Sequence, residues 1–408
     1  MTVERPVPAP YAWADALTTV GVTGTNGKTS TTHMIGAALA QEGPALTVGT
    51  VGYFLDGAPL DAPRTAQGFI ASQRRLYEAG GRRSAVECTS QALAQGYARR
   101  WRFDVGVFTN LSDDHVESHG SWEHYLAAKA QLFVHLGPGR TAVLNAADPA
   151  SDLLDAAIPP DVVRRWYAAP SRGPWTRTVD LALQGLELDL AGTHLRLQPS
   201  PVAEAFAGEL EIAMIGAVFA ENALAAALAA LAAGVAPEAI RAGLRACAPV
   251  PGRFEVIAHD PCVVVDFAHT PDALARTLAT ARRLATGRVL LVLGAGGQRS
   301  VQKREPMGQV AGTHADLVWV TNDNPRNEDP HRIAAMIEAG LACVSRATWS
   351  TILDRGEALR TALDTARPGD VVVVAGKGHE RTQDLGGEVV PWSDVQVIRE
   401  LLGAHDPD

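Results

Sequence analysis

This 408-residue sequence predicts an α/β protein built on mostly parallel, doubly wound sheets. Three observations carry that reading. Short apolar runs rich in β-branched residues recur, as VVVDF at 263–267, VLLVLGAG at 289–296 and DVVVVAGKG at 370–378. Strands covered on both faces read as continuous apolar runs, because neither face meets water. Each run leads into polar or glycine-rich residues and then a helix-like stretch. The first half repeats the theme at GVTGTN (21–26), AVECTS (85–90), VGVFTNLSDDH (105–115) and TAVLNAADP (141–149), with helical segments such as TTHMIGAALAQEG between strands. Strand alternating with helix is the pattern of a doubly wound sheet. The third observation is a change of rhythm: residues 178–213 alternate apolar and polar with glycine turns, which predicts antiparallel hairpins.

The remaining elements follow in order. GAVFAENALAAALAALAAG at 216–234 predicts a long helix, and prolines at 237, 249 and 251 precede a fresh series of strands. A chain of this length exceeds one ordinary core, and the break falls near 250. The expected organisation is a short stretch 1–17, a domain 18–250 and a domain 251–408. The net charge of -9 offers no basic footprint for nucleic acid or an anionic membrane. Cys88, Cys247, Cys262 and Cys343 lack C-x-x-C spacing and read as small buried residues, neither a disulfide frame nor a zinc site. No signal-peptide core and no long apolar segment stands in the sequence, so the expected location is cytoplasmic.

The stretch Gly21–Ser30, GVTGTNGKTS, ends like a phosphate-binding loop, yet Val22 stands where the common G-x-x-x-x-G-K-[ST] pattern has its first glycine. Gly21 or Gly24 can shape the turn instead. Gly24, Thr25, Asn26 and Gly27 would present backbone N–H groups to phosphates at the start of a helix whose dipole favours anions. Lys28 reaches outer phosphates, Thr29 offers a hydroxyl to Mg²⁺, and Ser30 is counted with them among the nucleotide-binding residues.

The segments GTNGKTS, FTNLSDDHVESHG, YLAAKAQLF, PGRFE, DFAHTPDAL, DNPRNEDP and AGKGHERTQ occur in the order and rough spacing of the Mur ligase family, over roughly residues 18 to 400. The chain most resembles members that add the third residue, usually meso-diaminopimelate or lysine, to UDP-N-acetylmuramoyl-dipeptide. The resemblance implies a central P-loop ATPase domain and a C-terminal Rossmann-like domain, with the active site in the cleft between them. It also implies ATP and Mg²⁺, and an acyl phosphate displaced by an amine. Thr29 and Glu87 match ligands of one Mg²⁺; His115 and Lys129 match ligands of a second, the lysine as its carbamate. By its residues alone Lys129 reads as an exposed helix lysine. Asn222 matches a residue near adenine, though Phe219 stands where an asparagine is usual. Arg253 matches an arginine that reaches the phosphates, and Asp266 a ribose contact.

On the amino-acid side, Asp323, Asn324 and Arg326 form DNPR, the form seen in diaminopimelate-adding members. Arg299 stands where a further carboxylate contact is expected, and Gly376 and Glu380 belong to GKGHE. A planar guanidinium suits a terminal carboxylate, and Glu380 would balance a distal ammonium. Departures cluster on the acceptor side. TSQAL replaces the usual SSHAL, with Gln91 for histidine; Tyr97 stands near a usual arginine; and APRTAQGF at 62–69 replaces a Thr-Thr-Pro segment. Only about twenty residues precede the loop, where such ligases have a UDP-binding domain. The expectation is a diaminopimelate-like amino acid joined to a carboxylate acceptor without UDP. γ-Chain extension, as in folylpolyglutamate synthetases, and a catalytically silent nucleotide-binding subunit working with a protein partner stay open as alternatives.

Overall fold

The computed structural model describes residues 11–112, 120–344 and 346–403. The chain divides into two compact units, Met1–Ala248 and Pro249–Asp408.

The first unit is organised by a sheet of eleven strands among the described residues. They are β1 (Thr18–Thr23), β2 (Ala45–Gly49), β3 (Gly52–Leu55), β4 (Ala58–Pro59), β5 (Arg83–Glu87), β6 (Val105–Phe108), β7 (Thr141–Asn145), β8 (Val163–Ala168), β9 (Leu181–Asp189), β10 (Gly192–Leu197) and β11 (Glu209–Ile212). Their order across the sheet is β11-β10-β9-β8-β7-β6-β1-β5-β2-β3-β4. β1 lies at the centre, in parallel with β5 and β6. The alternating segment forms β9, β10 and β11, whose antiparallel pairing extends the parallel sheet at one end. β2, β3 and β4 extend the other end, and sequence periodicity had singled out neither them nor β8.

Two helices fix the first strand turn. Helix Lys28–Leu39 follows β1 directly, and helix Ala217–Ala232 packs against both it and β6 to β9. The latter helix is apolar all round because it is buried along nearly its whole length. Glu221 and Asn222 interrupt it and are themselves buried. A core including Val86, Phe108, Leu132, Phe133, Leu144 and Trp166 holds the unit together.

The second unit has β12 (Glu255–His259), β13 (Cys262–Asp266), β14 (Val289–Leu293), β15 (Leu317–Val320), β16 (Thr348–Thr351) and β17 (Val371–Ala375). Their order is β12-β13-β17-β14-β15-β16, parallel from β13 to β16, with a separate hairpin of β18 (Thr382–Asp384) and β19 (Val389–Pro391). Every residue of β13, β14 and β17 is buried, as their uninterrupted apolar runs require. β16 is exposed throughout and lies at the edge. Capping side chains start the helices: Thr270 and Asp329 accept backbone N–H bonds ahead of Pro271 and Pro330, whose rings suit the first helical turn. The carboxyl ends of β13, β14, β15 and β17 share one side of the sheet, where ligands of open α/β folds bind.

Cys88, Cys247 and Cys262 are buried, but Cys343 is exposed, against the expectation for all four. The buried stripe of helix Pro330–Ala342 runs through Ile333, Ile337, Gly340 and Leu341, and position 343 falls off that stripe. No helix among the described residues is long and apolar enough to cross a membrane.

Candidate functional site

The loop after β1 is built by its backbone. Gly24 has φ 149° and Gly27 φ 83°, conformations that favour glycine. A Cβ on Gly24 would stand 1.9 Å from Thr109 Oγ1, and one on Gly27 would stand 2.4 Å from Asn222 Oδ1. Asn110 clamps the turn on both sides: its carbonyl accepts from Thr25 N at 2.8 Å, and its side chain bonds Asn26 N at 2.9 Å and Asn26 O at 3.0 Å. Thr109 Oγ1 donates to Asn26 O at 2.7 Å, and Ser112 N donates to Thr25 Oγ1 at 3.0 Å. Gly27 caps helix Lys28–Leu39, so the helix dipole opens at the loop. Lys28 folds over the turn and donates to Thr25 O at 2.7 Å.

Beside the lysine lies an oxygen cluster. Thr29 Oγ1 donates to Glu87 Oε2 at 3.1 Å, and Thr50 donates to the same oxygen through its N–H and its hydroxyl, each at 3.0 Å. Thr29 and Ser30 are buried in the first helical turn. A half-buried carboxylate beside a threonine hydroxyl is a donor set of the hard oxygen type that suits Mg²⁺. His115 lies outside the described residues. Among those described, no three His, Cys, Asp or Glu side chains converge on one point.

Lys129 overturns the reading of an exposed lysine. It is 1% exposed on helix Trp122–Val134, its Nζ donates to Gly24 O at 2.7 Å and stands 4.1 Å from the Tyr125 ring centroid. Tyr125 OH in turn stands 3.2 Å from Thr25 Oγ1. The lysine is thus aimed at the loop. Asn222, also buried, packs on Gly27, and its Nδ2 has no hydrogen-bond partner among the described residues.

Residues that the sequence reading passed over brace this arrangement. Glu221 Oε1 accepts from Asn145 Nδ2 at 2.8 Å and from Arg172 Nε at 3.2 Å, while Asn145 Nδ2 also reaches Thr109 O at 2.8 Å. A single charge in an otherwise uncharged, mostly apolar helix was the signal that could have revealed Glu221. Asn110 stood inside the motif FTNLSDDH without being assigned a task.

In the second unit, Asp266 ends β13 with both carboxylate oxygens engaged. They accept from Phe254 N at 2.7 Å, Ala268 N at 2.9 Å and Thr277 Oγ1 at 3.0 Å. Burial pushes this carboxyl above its usual range despite those bonds. Asp266 therefore shapes the strand-to-helix turn. Arg253 is half-buried and lays its guanidinium 4.5 Å from the Phe267 ring centroid. Gly376 opens the loop after β17 and donates its N–H to Asp266 O at 3.1 Å.

Asn324 and Glu380 meet directly, with Asn324 Nδ2 donating to Glu380 Oε2 at 2.8 Å. Lys377, fully buried, donates to both, at 3.0 Å to Asn324 Oδ1 and 3.0 Å to Glu380 Oε2. Asp323 is also buried, 3.6 Å from the Lys377 ammonium, and burial raises its carboxyl above the usual range. Arg326 sits at φ 53° and donates to Gly297 O at 2.7 Å. Such a conformation is uncommon outside glycine and tends to occur at functional sites. Arg299 is exposed, and it and Arg326 flank Gly296.

Arg304 anchors that loop from below. It is fully buried and donates through Nη2 to Glu328 Oε2 at 2.7 Å and Gly296 O at 3.2 Å; Gln298 N donates to Glu328 Oε2 at 3.0 Å. The bond from Arg304 is the largest cause holding the Glu328 carboxyl down at about 2. Folding thus favours the ionised form. Its contribution is complete above the unfolded carboxyl's value of about 4.3 and is lost as pH falls from there through about 2. Glu328→Gln should flatten the acid limb of thermal midpoint against pH between 6 and 2. Parallel profiles for the two proteins would remove the ion pair from this account.

Residues 22–230 match the Mur ligase middle domain, and residues 252–378 match the Mur ligase, glutamate ligase domain. The protein named UDP-N-acetylmuramoyl-L-alanyl-D-glutamate--2,6-diaminopimelate ligase is 37% identical in Aquifex aeolicus (strain VF5) over 398 residues, covering 96% of this chain and 78% of that one. Its namesake in Geobacillus kaustophilus (strain HTA426) is 38% identical, covering 94% and 78%. A solved structure of a ligase of that name superposes with a TM-score of 0.63 at 32% identity, covering 95% of this chain and 78% of that one. Folylpolyglutamate synthase from Mycobacterium tuberculosis, at 19% identity, shares the fold with a TM-score of 0.68 over 97% of this chain and 93% of its own.

Proposed function

Because this chain belongs to the Mur ligase family and is an ATP-dependent ligase, we propose that it joins a diamino acid of the diaminopimelate type to a carboxylate acceptor that carries no UDP. The observation that carries the donor half is the junction of DNPR and GKGHE, where Asn324 and Glu380 share a hydrogen bond. A glutamate donor would bring a carboxylate where Glu380 stands, and like charges repel.

The reaction runs in two balanced steps. An acceptor carboxylate oxygen bonds to the γ-phosphorus as the bond to ADP breaks; the donor amine then bonds to the acyl carbon, inorganic phosphate leaves and the amine proton is released. Lys28 and the N-terminal dipole of helix Lys28–Leu39 hold the transferring charge, a task of positioning and electrostatic stabilisation. The N–H groups of Thr25 and Asn26, which the sequence offered to phosphates, are instead taken by Asn110. Thr29 and Glu87 would hold Mg²⁺, which neutralises phosphate charge when bound. Lys129, as its carbamate, would join His115 in holding a second ion. Asn222 offers the nucleotide its buried Nδ2 donor; by the resemblance alone, Arg253 would reach the phosphates and Asp266 the ribose.

Support for a different acceptor comes from residues facing that side in the resemblance. Tyr97 packs edge-on against Phe69 at 5.2 Å and Phe103 at 5.8 Å, and burial pushes its hydroxyl well above the usual range. A neutral phenol cannot do what an arginine does for an anionic substrate. Gln91 and the segment 62–69 depart in the same region.

Phosphate release should be measured with ATP, Mg²⁺ and pools of candidate acceptors, with meso-diaminopimelate, glutamate or no amino acid, and each product identified by mass. The reading expects release that depends on meso-diaminopimelate and a product without UDP. Efficient formation of a UDP-muramoyl-tripeptide would overturn the acceptor half, and stimulation by glutamate alone the donor half.

A further inference from the structure

Glu380 has two carboxylate oxygens in different circumstances. Oε2 accepts from Asn324 Nδ2 at 2.8 Å and from Lys377 Nζ at 3.0 Å. Oε1 accepts no hydrogen bond among the described residues, and the side chain is 35% exposed. The inner oxygen is therefore tied to the protein while the outer one remains available.

Lys377 enforces this split. Its ammonium is fully buried, so it cannot swing into solvent. It also settles which way the Asn324 amide points. Asn324 Oδ1 accepts from Lys377 Nζ at 3.0 Å and from Asp384 N at 3.0 Å, which leaves Nδ2 facing Glu380. A flipped amide would set an NH₂ against two donors. One ammonium serves two acids here: Lys377 Nζ stands 3.6 Å from Asp323 Oδ1 and 3.0 Å from Glu380 Oε2. Arg355 and Asp394 nearby neutralise each other.

We propose that Lys377 is a positioning residue for donor selection, fixing the Glu380 carboxylate and the Asn324 amide so that Glu380 Oε1 receives the distal ammonium of the incoming amino acid. The assignment rests on the donor reading above. Without Lys377, Glu380 loses its inner tether and Asn324 its reason to keep one orientation. The site then loses its preference for a singly charged cation more than it loses general affinity.

The test uses the full-length protein with Mg²⁺ and a non-hydrolysable ATP analogue. Dissociation constants for meso-diaminopimelate and for 2-aminopimelate, which lacks the distal amine, are read by ligand-observed NMR. Wild type should prefer the diamino acid by about thirtyfold, the scale of a charge-assisted contact. Lys377→Met should bring the two within about threefold. Glu380→Gln should do the same, and the double variant should lose no further discrimination, since both changes remove one device. Lys377→Gln, which keeps a neutral donor, should fall between wild type and Lys377→Met, and it serves if the methionine variant does not fold. Binding of the ATP analogue should stay within twofold throughout.

Retained preference in a folded Lys377 variant overturns the assignment while leaving the donor reading intact. Additive losses in the double variant, or equal loss of both amino acids, also overturn it, because a merely structural lysine would behave that way. No preference in wild type overturns the donor reading and the assignment together.

Discussion

Lys28→Met should lower amino-acid-dependent phosphate release by about a thousandfold or more while leaving the protein folded. Removing one cationic group from a phosphoryl-transfer site costs on this scale, since catalysis there consists mainly of holding charge. The turn itself does not need the ammonium for its shape. Asn110 bonds Thr25 N, Asn26 N and Asn26 O, and the positive φ of Gly24 and Gly27 is a property of the backbone. Circular dichroism and the thermal midpoint should therefore be close to wild type. The decisive quantity is kcat at saturating ATP, acceptor and amino acid. A loss of less than tenfold would mean that the transferring charge is held elsewhere, and Lys28 would revert to a loop brace through its bond to Thr25 O at 2.7 Å.

The largest stability effect is expected at Asp394→Ala, about 3–5 kcal/mol, the usual consequence of stranding one partner of a buried ion pair. Arg355 and Asp394 are both fully buried. Arg355 donates to Asp394 Oδ1 at 2.7 Å and Oδ2 at 2.6 Å, a bidentate pairing, and Trp392 Nε1 adds a bond of 2.8 Å to Asp394. Burial alone would raise the Asp394 carboxyl, but the Arg355 charge and hydrogen bonds outweigh it and hold the group below its usual range. The guanidinium also donates to Asn322 O at 3.2 Å and Ala375 O at 3.1 Å. Those carbonyls precede Asp323 and Gly376, so the pair supports the amino-acid cluster from beneath. Hydrogen exchange of the β13, β14 and β17 amides under mild urea reads the local free energy directly. Protection unchanged by the substitution would refute the account. Replacing both members by apolar residues should restore much of the loss, because no buried charge then remains without its partner.

The nucleotide loop was legible in the sequence because its chemistry is local. Gly24, Gly27, Lys28 and Thr29 lie within one turn, and an apolar strand ahead with a helix behind is enough to orient them. The buried runs of β13, β14 and β17 announced themselves for a similar reason: a strand covered on both faces has no polar position to place. DNPR and GKGHE were visible as motifs, yet Lys377 within GKGHE was passed over. Its importance comes from burial against Asp323 and Asn324, which the motif does not encode.

What the sequence determined by itself was therefore the α/β class, the loop's backbone chemistry and the family, all written in short contiguous patterns. The tertiary structure alone decided the state of single charges. Lys129, which reads as a solvated helix lysine, is buried against Gly24, 105 positions away. Glu221 is paired with Arg172 across 49 positions, and Arg355 with Asp394 across 39. Local residue order specifies backbone geometry and the period of burial, since both arise from neighbours along the chain. Whether a charged group is desolvated, and which partner compensates it, is set by segments that meet only when the sheet assembles.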